Sequence, residues 1–471
     1  MDTLIIGNGI IGLSTAFRLC QRAAPQDKIT LLGKRERPGS ATLAAAAMMN
    51  CFAEVEAGSL DTDLECYRFE VSRTAAKRWP GFAEELEAAA GAAAGLYHGG
   101  TYIINNTSAD DLDEVNFDAI VAALKEYDEP FTFVDPKEVP NYDPEQRYRA
   151  LRAMHIPNEG WLNPRRLVDL LEQALKRFPN IRFVDDEVER IQATAKEITS
   201  VTTRGGASVS ADKYLLCSGA TTTDLLAASG IDLGMQRIFY GVGVSIELGS
   251  PMYPHKECVR TPNRGLACGL YTVPYLDGAD QPQDHILIGA TNFISPVPQQ
   301  YGRLTSVESL MRGAIEQINH NFYRADMIRV NVGWRPTSQD SLPLIGPTRL
   351  SNLVVATGTK RDGLHLSPLI SETIAAMLHG EGVDPRFAAF APDRAPLRLL
   401  TREKAIAKTV RHQVNAAYQH GFVPAHGPMR KQMEASFRDS LERLHDQVGA
   451  KDWGIPPEMI DMYRYGHAKM A

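Results

Sequence analysis

The chain reads as an α/β protein in three parts: a parallel-sheet domain gathered from separated stretches, a second domain on a mixed or antiparallel sheet, and a helical C-terminal extension. Three observations carry this reading. A short apolar run, Leu4-Ile5-Ile6, passes through Gly7-Asn8-Gly9-Ile10-Ile11-Gly12 into residues 13–21, whose apolar spacing is helical. Residues 231–330 hold alternating segments such as Gly241-Val242-Gly243-Val244-Ser245-Ile246 and His285-Ile286-Leu287-Ile288-Gly289. Beyond Pro396, residues 401–420 and 429–448 have helical periodicity and are separated by the Gly- and Pro-containing stretch 421–428.

Composition bounds what such a protein does. The 471 residues suffice for two or three domains, and 44% hydrophobic with 23% charged residues is ordinary for a soluble globular chain. Fifty basic against 57 acidic side chains give a formal charge of −7, which disfavours phosphate-rich partners, so no nucleic acid is expected. The six cysteines form no C-x-x-C pair; reduced, mostly buried thiols are expected, with no metal site and no disulfide framework. Residues 1–6 carry no basic flank and the apolar run breaks at Gly7, which predicts a strand and not a signal peptide. No stretch approaches the roughly 20 apolar residues of a membrane span, and a cytoplasmic location is expected.

The strand, G-x-G-x-x-G and helix together make a Rossmann-like dinucleotide fingerprint. Gly7 permits the tight turn, Gly9 lets backbone approach a pyrophosphate, Gly12 lets helix and strand pack closely, and the helix N-terminus faces the phosphates. Lys28-Ile29-Thr30-Leu31-Leu32 reads as the second strand, at whose end an acid usually holds the ribose. That position is Gly33 here, so water, backbone, Lys34, Arg35 or Glu36 would take over, and weaker cofactor binding is expected. Residues 39–50, Gly-Ser-Ala-Thr-Leu-Ala-Ala-Ala-Ala-Met-Met-Asn, read either as a plain helix or as a segment whose small side chains let a planar ring lie against backbone.

These blocks, with others further along, resemble the D-amino-acid oxidase-like superfamily of FAD-dependent oxidoreductases, in particular its glycine oxidase and sarcosine oxidase branch. The further blocks are residues 159–167, 186–191 and 211–220, then Gly333-Trp334-Arg335-Pro336-Thr337, Asp340, Pro343, Ile345-Gly346, residues 352–358 and Gly363-Leu364. Together they span roughly the first 395 residues, and their joint order is far more specific than any one motif. The resemblance implies a discontinuous FAD-binding domain (1–80, 150–230, 330–395), a substrate domain (81–149, 231–329) and an extension (396–471). It implies FAD contacts from Thr42, Ala46, Ala47, Met48, Val188 (to adenine), Ser218, Gly219, Arg335, Gly358, Arg361, Asp362, Gly363 and Leu364. Three positions depart from the pattern: Gly33, Ala47 where relatives often carry glycine, and Thr359 where a histidine is common.

The chemistry implied is oxidation of the C–N bond of a small amine or amino acid, a hydride passing to flavin N5 to leave an imine, with dioxygen or another oxidant as acceptor. A carboxylate on the substrate is best fixed by the planar fork of a guanidinium. Arg335 is the candidate, expected where the chain leaves the sheet after the strand at 328–332; the alternative is a surface or structural salt-bridge arginine. Tyr271 is expected either to line the substrate cleft or to be a buried strand tyrosine. Arg361, in the loop 359–364, would add to the field at the ring or touch substrate, or else be an exposed loop charge, and the following helix would aim its N-terminus at the flavin C2 carbonyl and N1. His365 is expected to start that helix. No general base is nominated, and no His or Cys stands where related sarcosine oxidases attach their flavin, so noncovalent FAD is expected. The extension is expected to pack on the core, to form a homo-oligomer contact, or to act as a lid supplying aromatic residues. The rival readings are an aromatic hydroxylase or halogenase, whose Gly-Asp is here Gly346-Pro347, a flavoprotein oxidising a modified RNA base, and a noncatalytic degenerate FAD fold.

Overall fold

The computed structural model describes residues 1–106, 108, 111–250, 252–253, 255–265, 269–275, 285–419 and 427–469. Among these, six strands form a sheet in the order Leu344–Pro347, Leu353–Thr357, Lys213–Leu216, Asp2–Ile6, Lys28–Leu32, Ile181–Val184. Neighbours run parallel except the first pair, which is antiparallel. The central strand is covered on both faces, which is why it reads as an unbroken apolar run. Leu4 and Ile6 pack with Val201, Leu226 and Val355, whereas Ile5 packs with Leu13, Phe17, Leu171 and Ile374. The second group belongs to a helical layer of Ile10–Arg22, Asp63–Ala90, Pro164–Leu175 and Ser367–His379. In the first group, Val201 belongs to a small antiparallel sheet of Val188–Ala193, Ile198–Thr203 and Ser208–Val209, Leu226 to the short helix Thr222–Ala228, and Val355 to the strand Leu353–Thr357 of the same six-stranded sheet.

The helix read at 13–21 runs Ile10–Arg22, because Gly9 is the extended residue before its first turn. Residues 39–50 form no helix despite four alanines in a row. Gly39 (φ 66°) and Ala47 (φ 54°) are left-handed, and Met48–Met49 pairs as a strand with Gly160 and Trp161.

The larger sheet runs Phe293–Ser295, Phe239–Gly249, His285–Gly289, Tyr271–Pro274, Cys258–Arg260, Tyr97–Asn105, Arg152–Leu162, Met48–Met49. Asp326–Thr337 also pairs with Phe239–Gly249, antiparallel, with Arg335 opposite Gly241 and Gly333 opposite Gly243. Arg152–Leu162 lies in this sheet although the sequence segments placed 150–230 with the nucleotide domain, because Tyr97–Asn105 offers it a full antiparallel edge.

The extension forms helices Arg402–Gln419 and Gly427–Gln447 and a short Ile460–Arg464; most of the stretch read as a linker lies outside the described residues. Ile406, Val410, Val414, Leu441 and Leu444 pack with Trp453, Ile455 and Met462 and onto Phe239 of the larger sheet. Burial of five such aliphatic side chains, each contributing roughly 1.5–3 kcal/mol, outweighs the exposed ion pairs Lys404–Asp61 and Arg411–Asp111, each adding roughly 0–1 kcal/mol. Among the described residues no helix is long and apolar enough to cross a membrane.

Candidate cofactor and substrate site

A cavity of about 930 Å³ opens at the C-terminal ends of the central parallel strands and continues to the larger sheet. Gly7 starts it with φ 121°, and a Cβ there would stand 2.4 Å from the Cys217 carbonyl oxygen; a Cβ on Gly12 would stand 1.9 Å from the Gly7 carbonyl oxygen. Gly7 and Gly9 lie on the wall, and Gly12 sits beneath it as the packing contact. The helix Ile10–Arg22 has no acidic residue in its first turn, so its positive end is left for an anion. Thr42 Oγ1 accepts from the Ile10 amide at 3.1 Å, joining the 39–50 loop to that helix end.

Gly33 has a local cause. A Cβ there would lie 2.5 Å from Asn8 Cγ, and the Asn8 amide occupies that space while donating to the Lys34 carbonyl at 2.9 Å. A side chain at position 33 would have to displace the Asn8 side chain from that hydrogen bond. Asn8, Lys34 and Glu187 line the wall here, with Lys34 Nζ 3.5 Å from Glu187; Arg35 and Glu36 are off it, and the Arg35 amide instead donates to Asp185. Val188, Ser218 and Gly219 complete this end.

At the far end the wall carries Trp334, Arg335, Lys360, Arg361, Gly363 and Leu364 with the 39–45 backbone. The Trp334 amide donates to Gly39 (2.9 Å), holding the small-residue loop against the strand Asp326–Thr337. Arg335 does not mark an exit from the sheet, as the sequence suggested; the strand continues through Thr337 because Phe239 and Tyr240 still pair with it. Arg335 Nη1 donates to the Thr291 carbonyl (3.0 Å) and to Asn292 Oδ1 (3.2 Å), while Nε and Nη2 make no hydrogen bond to any described residue. The guanidinium lies across Gly243, where a Cβ would come within 2.4 Å of Nη2.

A second cavity of about 230 Å³ shares Lys360 and Arg361 with the first. Its walls are charged. Glu54 receives Arg260 Nη1 at 2.7 Å and lies 3.4 Å from Arg361; burial would raise its carboxyl, but the two guanidiniums outweigh that and hold it at about 2. Glu458, from the extension, receives the Ser341 hydroxyl at 2.7 Å and pairs with Lys360, which overcomes burial and holds it at about 2. Asn292 reaches Glu458 Oε2 at 3.5 Å as well as Arg335, so one amide links both cavities. His412, also from the extension, is pushed down to about 4 by burial and is neutral.

Several residues from the sequence reading are not on the large cavity's wall. Ala46, Ala47, Met48 and Gly358 lie behind it, Asp362 faces the smaller cavity, and Tyr271 is packed with Trp161, Cys258 and Ala46, 4% exposed. The helix after the loop begins at Ser367, so Gly363 and Leu364, and not its first turn, form the wall. His365 precedes that helix; it is buried, its Nε2 lies 2.9 Å from Ser72 Oγ, and burial lowers its pKa. Sequence reasoning missed Asn8, Glu54, Asn292, Lys360, Lys408, His412 and Glu458. Only Asn8, inside the glycine fingerprint, and Lys360, beside Arg361, carried a local signal; the rest converge through tertiary contacts. Among the described residues the extension lines the smaller cavity with Lys408, His412, Pro457 and Glu458, none of them a phenylalanine, tyrosine or tryptophan.

The donor set fits a dinucleotide carrying a flat ring: a glycine turn and helix end for phosphates, a small-residue loop for the ring, and a volume near the top of the roughly 300–1,000 Å³ common for cofactor sites. These features define a flavoprotein oxidoreductase. The chain belongs to the FAD-dependent oxidoreductase (DAO) family, whose model matches residues 2–377, and FAD is its cofactor. It is 25% identical to glycine oxidase of Pseudomonas putida over 401 residues, covering 83% of this chain and 98% of that one. Its fold is similar to iminodiacetate oxidase of Chelativorans sp. BNC1 (TM-score 0.69, 21% identity, 83% of this chain and 98% of the other). It is likewise similar to glycine oxidase of Geobacillus kaustophilus (TM-score 0.68, 23% identity, 83% and 98%). All of these matches stop short of the whole chain, as the family model does at 377.

Proposed function

We propose that this enzyme oxidises the C–N bond of a small amine that carries a carboxylate. The observation that carries this is Arg335: on the cavity wall one edge of its fork, Nε with Nη2, makes no hydrogen bond to a described residue while Nη1 is tethered at 3.0 and 3.2 Å. A tethered guanidinium with a free edge suits a carboxylate, which takes two parallel charge-assisted hydrogen bonds. Bound FAD supplies a two-electron acceptor for the hydride on the amine-bearing carbon.

The residues of this chain do the positioning. Arg335 would fix the carboxylate, and with it the C–H to be broken; Thr291 and Asn292 keep the guanidinium from swinging, and Gly243 leaves it room. Gly7, Gly9, Thr42, Val188, Ser218 and Gly219 would hold the dinucleotide, and Arg361 would contribute positive field at the ring edge. The amine reacts when neutral, so no dedicated base is assigned. The likeness to the glycine oxidases and to iminodiacetate oxidase supports the same class of substrate.

The test is anaerobic mixing of the flavin-loaded enzyme with a panel of amino acids and N-alkyl glycines while the flavin absorbance is followed. At least one carboxylate-bearing amine is expected to bleach the flavin. Bleaching by none of them, with bleaching by amines lacking a carboxylate, would overturn the proposal.

A further inference from the structure

Glu458 stands in the extension, beyond the region the family model matches, yet three segments of the core converge on its carboxylate. The Ser341 hydroxyl donates to it at 2.7 Å from the turn after the strand Asp326–Thr337, Lys360 pairs with it from the loop after the strand Leu353–Thr357, and Asn292 Nδ2 reaches Oε2 at 3.5 Å. The Lys360 amide in turn donates to the Pro336 carbonyl at 2.8 Å, one residue past Arg335. Apolar packing of Ile406, Val410, Leu441 and Leu444 already seats the extension on the core, so a carboxylate that is only 15% exposed adds a desolvation cost that its partners must offset.

We infer that Glu458 is a positioning residue for Arg335, acting through the Asn292 amide. This rests on the carboxylate-gripping role given to Arg335 above.

The argument turns on the two edges of one amide. Burial would raise the Glu458 carboxyl, but Lys360 beside it outweighs that and holds it at about 2, so it is ionised and can only accept. The Asn292 edge that faces it is therefore the NH2 edge. Its Oδ1 then turns to Arg335 Nη1 at 3.2 Å, next to the Thr291 carbonyl at 3.0 Å. A guanidinium carries donors only, so the flipped amide would set N–H against N–H on one side and oxygen against carboxylate on the other. Glu458 thus selects the orientation in which Asn292 tethers Nη1. A fixed Nη1 decides where the opposite edge, Nε with Nη2, points, and a two-point grip on a carboxylate depends on that edge being held in place beforehand. The link from Lys360 to Pro336 steadies the backbone at the same place.

The test titrates flavin absorbance of the intact holoenzyme with acetate and with acetamide, its uncharged counterpart of the same shape. Five proteins are compared: the wild type, Glu458→Leu, Glu458→Gln, Asn292→Leu, and Glu458→Leu combined with Asn292→Leu; thermal midpoint and flavin content are followed for each. The wild type is expected to prefer acetate. Glu458→Leu is expected to cut that preference about fivefold, the share of one hydrogen bond, and Glu458→Gln, which keeps an acceptor oxygen for Asn292, to restore most of it. With Asn292→Leu already present, Glu458→Leu is expected to move the preference no further, as action through one amide requires. A merely structural role would weaken both ligands alike; that result, or losses that add in the double variant, would overturn the inference. If Glu458→Leu fails to hold flavin, the same comparisons are made on a Lys360→Met background, where no ammonium is left unpaired, and the same outcomes decide. A wild type that binds acetate no better than acetamide sinks the role of Arg335 and this inference with it, whereas a wild-type preference that Glu458→Leu leaves intact sinks the inference alone.

Discussion

Two single positions show how this site is shaped by neighbours. At Gly33 the missing acid is the counterpart of Asn8, whose amide fills the space a side chain would need. At Ala47 the backbone is left-handed (φ 54°), a conformation that costs a residue with a Cβ roughly 1–2 kcal/mol. The position is held because its carbonyl accepts from Leu162 at 3.1 Å, one residue before the Met48–Met49 strand joins the larger sheet. Glycine there would relieve the strain but lose a buried methyl and stiffen the unfolded chain less, terms of roughly 0.5–1 kcal/mol each. Ala47→Gly is therefore expected to shift the unfolding free energy by no more than about 1 kcal/mol, while β-branched Ala47→Val should destabilise by about 2 kcal/mol or more. Urea denaturation of both variants checks this; a Val variant as stable as the parent would contradict the strain assigned here.

At the scale of elements, what could be read in the sequence was whatever is decided locally. The strand Lys28–Leu32, the strand His285–Gly289 and both long helices of the extension follow from runs of apolar residues whose period the backbone obeys. The nucleotide end of the cavity was legible for the same reason, since Gly7, Gly9 and Gly12 act within a single turn. What escaped was decided at a distance. The alanine run at 44–47 has helical propensity, but pairing of Met48 and Met49 with Gly160 and Trp161 overrides it. Arg335 was legible as a residue but not as a position within a strand, because its strand's end is set by Phe239 and Tyr240, far earlier in the chain. Glu458 and Lys408 had no signal at all: their meaning lies in Lys360 and Glu56, far away in the chain.

Among the described residues folding lowers the pKa of five histidines, His98, His255, His365, His412 and His445, each by burial. Burial pushes His255 and His412 down to about 4 and lowers His365 as well. An unfolded histidine binds its proton near pH 6.5, so between about 6.5 and 4 the unfolded chain takes up protons that the folded chain refuses, and stability falls as pH falls. Each such group contributes a slope approaching 1.4 kcal/mol per pH unit within its window. The carboxyls of Glu54 and Glu458, held at about 2, act lower: their contribution is complete above about pH 4.5 and is lost as pH drops toward 2. Thermal midpoints are thus expected to decline already from pH 7 to pH 5, and a flat profile across that range would contradict the buried, neutral state of these rings. These effects frame the central claim without testing it: an amine is presented for oxidation by an arginine that grips its carboxylate. The direct measurement is anaerobic flavin reduction by the best amino-acid substrate and by its decarboxylated counterpart, in the wild type and in Arg335→Leu. The account predicts that the variant weakens the amino acid by about tenfold or more in apparent dissociation constant, the loss expected for charged hydrogen bonds, and so closes the gap between the two amines. Equal losses for both, or none for the amino acid, would contradict it.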